Sequence, residues 1–434
     1  MTRPKTGTAT DGRTSDGVCH GACASHCRSD APLRIVQERW STVFPRPVPS
    51  RFPIDALALT EALIAIDSRN PRLVDGAPGE GAAAKFLAQV LTGWGFAVSL
   101  HDVQPGRPNV LARIGPSGRT PLILNGHLDV VGTDGMVHAP FTPTTEGDRL
   151  FGRGSTDMKG GIAAMCVAAA RAAARGALTS EIIIAAVCDE EFESIGTRAL
   201  LDEGLTATGA IVTEPTRMAV CPSHKGFAWI EATFQGHAAH GSAYNVGVDA
   251  IRHAGLLLAA LDHFERTVLT TRQHPLLGRP SLHAAMIEGG TGWSTYAERC
   301  TLRIERRTIP GESGAQALAE VEELCAAIAA THPQLNASVR LVCAQPPLDL
   351  AVDAPLTRAV QEAASADGPV TPIEGLSCWT DAALFHEAGI PALCFGPGDI
   401  ARAHSAEEWV ERSQVERAAK VLEMVAVGWG ASRE

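Results

Sequence analysis

The chain is expected to fold as an α/β protein built on a mostly parallel sheet, and three observations lead there. Several short runs are apolar without alternation, as in strands covered on both faces. An Ala-rich helical stretch, 160–176, lies between two such runs, which makes a βαβ crossover the economical connection. His, Asp and Glu follow four of the runs, where a site beyond the carboxyl ends of parallel strands would gather its side chains.

Taken in order, residues 54–66 are apolar at helical spacing with Asp55 near the start, and 79–93 form a second helix leading into a strand at 96–100. Buried strands follow at 110–114, 121–124, 181–187 and 210–212, and a last one at 391–395. Near Phe227 the texture changes to strand, helix, strand, strand, helix, strand: 227–234, 248–261, 281–287, 297–305, 315–330 and 337–343. That order is the split βαβ, ferredoxin-like unit. The expected domains are therefore a disordered tail at 1–50, a main domain of 51–223 with 343–434, and an inserted α+β domain at 224–342.

With 434 residues, 45% hydrophobic and 20% charged, the composition is that of a globular protein with ample material for a core. A net charge of −11 without a Lys/Arg-rich block argues against nucleic-acid binding. No apolar stretch reaches the ~20 residues that span a bilayer, and residues 1–30 lack a secretory h-region, so no membrane association and a cytoplasmic location are expected. Most of the eleven cysteines lie in apolar runs, as buried free thiols do. The local cluster Cys19, His20, Cys23, His26 and Cys27 fits no common zinc spacing and is expected to be loose tail.

Chemistry concentrates in a few strings: Asn125-Gly126-His127-Leu128-Asp129, Gly152-Arg153-Gly154-Ser155-Thr156-Asp157-Met158-Lys159-Gly160-Gly161, Cys188-Asp189-Glu190-Glu191 and Thr213-Glu214-Pro215. Imidazole with carboxylate suits zinc. Two positions apart on a strand, His127 and Asp129 would share a face, so the Asp129 carboxylate is expected to hold the outer nitrogen of the imidazole. Asp157 follows a Gly-x-Gly bend and is expected to present both oxygens to two cations; the bland alternative is a helix cap. Glu190 and Glu191 are adjacent, so their side chains diverge and can serve two tasks.

In this order and context the strings resemble the M20 family of di-zinc hydrolases over roughly residues 55–430. The resemblance implies two Zn2+ ions, with Co2+ or Mn2+ as possible substitutes. The first would be held by His127, Asp157 and Glu214, the second by Asp157, Glu191 and His404, and Glu190 would be the general base. His386 is the nearest rival to His404, but its helical setting suits a solvated side chain. In Gly236-His237-Ala238-Ala239-His240-Gly241, His240 matches the family residue that reaches a partner subunit's site; His237 is unassigned. Arg307 matches the arginine that grips a substrate carboxylate, with Arg306 pointing the other way. The inserted domain would serve as lid and homodimer surface. Ser294, Tyr244, Ala297 and Glu305 depart from the family pattern, so the substrate cannot be copied from one relative.

The expected function is hydrolysis of the amide of an N-acyl-L-amino acid to a free amino acid and a carboxylic acid, acetylornithine deacetylase being the nearest label. The rivals are an M20-type carboxypeptidase or dipeptidase acting on a short peptide, and a non-catalytic member that binds a metabolite in the same cleft.

Overall fold

A computed structural model describes residues 52–117, 121–366 and 370–430. The tail and its Cys19–Cys27 cluster lie outside the described residues.

The central sheet is mixed. Its middle is four parallel strands in the spatial order Ile182–Val187, Leu122–His127, Gly209–Val212 and Ala392–Cys394. None of these four has an exposed residue, which is why their sequences are apolar without alternation. Fully buried Leu122, Ile123 and Leu124 each contribute roughly 1.5–3 kcal/mol of burial free energy. One side is extended by the antiparallel pair Arg107–Ile114 and Ala97–Gln104. The other side turns antiparallel at Val220–His224, which is flanked by Leu348–Asp349 and Ile373–Leu376.

The helix Gly160–Ala174 links Leu122–His127 to its parallel neighbour Ile182–Val187, as the crossover reading required. It packs on the helices Ala56–Ile64 and Arg412–Gly428. Its alanines and paired glycines allow close approach: a Cβ on Gly161 would collide with the carbonyl oxygen of Thr213. Asp55 caps Ala56–Ile64 through a 2.8 Å hydrogen bond from Ala58 N–H.

Between the strands Val220–His224 and Leu348–Asp349 the chain builds a second, four-stranded antiparallel sheet, in the spatial order Ser281–Gly289, Arg299–Thr308, Gly226–Gln235 and Asn336–Gln345. The helices Ala250–Thr267 and Gly314–Thr331 pack against it. Ala228, Ile230, Ala232 and Phe234 alternate into a core of its own with Leu257, Leu302 and Ile304. Among the described residues no helix is long and apolar enough to cross a membrane.

Candidate metal centre

Three parallel strands end side by side, and each delivers a metal-binding residue type at or just past its carboxyl end. His127 is the last residue of Leu122–His127; Glu190 and Glu191 follow Ile182–Val187; Glu214 follows Gly209–Val212. Asp157 comes from the bend before the helix Gly160–Ala174, where Gly154 takes φ +81° and the Asp157–Met158 peptide is cis. His404 comes from the loop after Ala392–Cys394.

These side chains converge. Asp157 Oδ1 lies 3.0 Å from His127 Nε2, while its Oδ2 lies 3.3 Å from His404 Nε2. His404 Nε2 is also 2.9 Å from Glu191 Oε2. On the other side His127 Nε2 stands 3.9 Å from Glu214 and 4.0 Å from Glu190. Asp157 thus spans the two imidazoles with one oxygen each. It does not cap the helix: Lys159 holds the cap position, without a side-chain hydrogen bond. His127, Asp157 and Glu191 form one triad able to hold a cation, and His127, Glu190 and Glu214 a second.

One expectation is corrected. The strand stops at His127, so Asp129 lies past it and not on the shared face. The main-chain carbonyl of Asp129 accepts from His127 Nδ1 at 2.9 Å, whereas its carboxylate is 3.7 Å away. Because a carbonyl only accepts, Nδ1 carries a proton, and Nε2 is the nitrogen turned toward the cage. The Asp129 carboxylate accepts instead from the main-chain N–H groups of Glu190 and Glu191, each at 3.2 Å, and from Asn70 Nδ2 at 2.8 Å.

A second support escaped the sequence reading. Fully buried Glu408 accepts from Arg153 at 2.7 Å and from the main-chain N–H groups of Gly154, Thr156 and Asp157 at 3.0, 3.1 and 3.2 Å. It therefore fixes the bend that aims Asp157. Its motif was visible as Glu407-Glu408 after His404, but the sequence does not show which acid turns inward. Asp381 was missed as well: buried, it accepts from Thr197 Oγ1 at 2.6 Å, and its charge bears on Glu190 and Glu214.

The electrostatics follow from crowding acids out of water. Burial, then the neighbouring carboxylates, push Glu190 and Glu214 well above the usual carboxylate range. Burial opposes the charged form of His127, yet the Asp157 hydrogen bond and the Glu190 and Glu214 charges hold it well above its ordinary value. Hydrogen bonds to Asp157 and Glu191 raise His404 to about 11. Among the described residues no lysine or arginine pairs with Asp157, Glu190, Glu191 or Glu214. Imidazole nitrogen and carboxylate oxygen arranged in this way, with excess negative charge, suit a divalent cation pair.

Other predicted residues stay apart. His240 is exposed on the second sheet's unit, its Nδ1 2.8 Å from Ser242 Oγ, and among the described residues no hydrogen bond or ion pair joins it to the cage. Exposed His237 does not join either, and His386 is exposed on the helix Ala382–Glu387. Arg307 is half-buried, paired with Glu305 and 5.5 Å from the centre of the Phe227 ring. Arg306 turns to the opposite face, where it is buried beside Glu312 and Glu320.

The profile of peptidase family M20/M25/M40 matches residues 123–427, which include every residue of the cage. The chain belongs to that family. It is an M20 hydrolase that is 31% identical to the acetylornithine deacetylase of Myxococcus xanthus, over 84% of this chain and 94% of that protein. It is 29% identical to an N-formyl-4-amino-5-aminomethyl-2-methylpyrimidine deformylase of Bacillus subtilis, over 79% of this chain and 88% of that one. The fold is that of an M20 metallo-carboxypeptidase from Sulfolobus solfataricus, with TM-score 0.71, 16% identity, and 86% and 98% of the two chains covered. A dinuclear metal-binding M20 peptidase from Bacillus subtilis matches with TM-score 0.65 and 16% identity over 86% and 96%.

Proposed function

We propose that this M20 hydrolase uses two zinc ions to cleave the amide of an N-acyl-L-amino acid, in the manner of acetylornithine deacetylase. The observation that carries the reading is the position of Asp157 between His127 and His404, with Glu214 and Glu191 beyond them and Glu190 alongside. The relatives' names support the reaction type: deacetylase, deformylase and desuccinylase each describe removal of an acyl group.

His127, Asp157 and Glu214 would hold one ion, and Asp157, Glu191 and His404 the other. When bound, such a pair supplies Lewis acidity, which acidifies water and neutralises charge growing on the amide oxygen. Glu190, half-buried and with its main-chain N–H held by the Asp129 carboxylate, would take the proton of the attacking water and return it to the leaving nitrogen. Arg307 would grip the carboxylate of the amino acid through paired hydrogen bonds. The unit carrying the second sheet is the proposed lid and dimer surface, from which His240 of a second copy would polarise the carbonyl.

A panel of N-acetyl, N-formyl and N-succinyl amino acids alongside dipeptides, assayed with zinc and with cobalt, tests the reading. Turnover of acyl amino acids well above dipeptides is the expected result; turnover of dipeptides alone would replace it with the peptidase reading.

A further inference from the structure

Glu190 and Glu191 do not hold their own places. Asp189, just before them, takes φ +68°, a left-handed conformation that a non-glycine residue adopts only when its surroundings enforce it. The enforcement comes from a buried polar lattice on the far side of the cage. Arg107 donates to Asp189 Oδ1 at 2.7 Å through Nη1, and to the two oxygens of Glu80 at 3.0 and 2.5 Å through Nε and Nη2. Glu80 in turn accepts from the main-chain N–H of Asp189 at 3.2 Å. Although it stands where the helix Gly81–Gly93 begins, its carboxylate makes no capping bond and is committed to this network.

Asn70 closes the lattice toward the cage. Its Nδ2 bridges Asp189 Oδ1 at 3.1 Å and Asp129 Oδ2 at 2.8 Å. Asp129 then holds the main-chain N–H groups of Glu190 and Glu191. Two positions along the strand Arg107–Ile114, Asn109 accepts from Cys188 N–H at 3.0 Å. Arg107, Glu80, Asn70, Asn109, Asp129 and Asp189 are all at most 5% exposed, so water cannot stand in for a lost partner.

We propose that Arg107 is a positioning residue: acting through Asp189, Asn70 and Asp129, it sets the main chain of the Glu190–Glu191 pair so that the two carboxylates diverge correctly, one to the reacting water and one to the metal. The roles of those carboxylates rest on the functional reading above. An arginine suits the task because its planar fork meets Glu80 with two donors and leaves a third for Asp189, which the single ammonium of lysine cannot reproduce. A misplacement of about 1 Å at a reacting group costs on the order of 100-fold in rate.

The test is Arg107→Lys, which keeps the buried charge, in wild-type and Glu190→Asp backgrounds, read on whichever substrate of the panel the wild type turns over. In the wild type kcat should fall roughly 10–100-fold with KM changed less than about 2-fold. In the Glu190→Asp background, where the carboxylate is already withdrawn, the same substitution should cost less than about 3-fold. In parallel, Co2+ titration of the metal-free protein should show binding weakened about 10-fold, because Glu191 is displaced. Asn70→Ala, run through the same cycle, serves if Arg107→Lys fails to fold. Equal losses in both backgrounds together with unchanged cobalt affinity overturn the proposal. Should the wild type hydrolyse no acyl amino acid, the functional reading falls, and the cobalt titration still decides whether Arg107 places Glu191.

Discussion

Around His127 the main sheet gathers Asp157, Glu190, Glu191 and Glu214 without a lysine or arginine partner among the described residues. The second sheet arranges charge differently: Glu231 sits between Arg303 and Arg340 on its open face, and Arg306 lies between Glu312 and Glu320 on its covered face. Buried charge of one sign is costly unless something from outside the chain compensates it. Charge answered by charge needs no ligand. The contrast separates acids kept for chemistry from acids kept for architecture, although both sheets draw on the same residue types.

The contrast can be broken most severely at the cage. Glu190→Gln removes the proton carrier without changing the shape, so kcat should drop on the order of 10²–10⁴-fold while elemental analysis finds the metal content of the wild type. A variant that kept both its metal and its rate would return the Glu-Glu pair to surface decoration. Next comes the covered face of the second sheet. Arg306→Met removes one of the two arginines that Glu312 and Glu320 share, Arg272 keeping its pairs with both, and a loss of roughly 1–3 kcal/mol should appear in denaturant melts with metal binding untouched.

Arg307 tests the boundary between the two kinds of charge. If it grips substrate, Arg307→Ala should lower kcat/KM by about 10–100-fold, as loss of a charge-assisted hydrogen bond of roughly 1.5–3 kcal/mol implies, with little change in melting. If its pairing with Glu305 is its whole purpose, kinetics will not register the change. The smallest effect is expected at Arg340, whose exposed pair with Glu231 should contribute at most about 1 kcal/mol; Arg340→Ala should melt almost as the parent does.

Much of this was legible before any coordinates. The runs 181–187 and 210–212 became strands within a residue or two at each end, because an unbroken apolar run has few other stable uses. Strands and helices of the second sheet were readable from period and punctuation too, though the helix expected at 248–261 runs on to Thr267 and the strand expected at 297–305 lies at Arg299–Thr308. Less visible are the helices Pro355–Ser365 and Arg412–Gly428, although Val415, Ala418, Leu422 and Val425 repeat at helical spacing. The antiparallel strand Val220–His224 was missed because its five residues, including Pro222 and His224, carry no clear period.

Residue type and order determined which groups could form a centre: His127, Asp157, Glu190, Glu191, Glu214 and His404 each follow or punctuate an element that the sequence marks. Only the tertiary structure decided how they are held. That Asp129 serves through its carbonyl on one side and its carboxylate on the other depends on where the strand ends, a matter of pairing with Ile182–Val187. That Glu408 turns inward while Glu407 stays exposed, and that Arg107 reaches Asp189 from a strand 82 positions away in the chain, depends on contacts between distant segments. Local pattern records burial and period; hydrogen-bond partners across such separations are chosen by packing, and no window of sequence contains both.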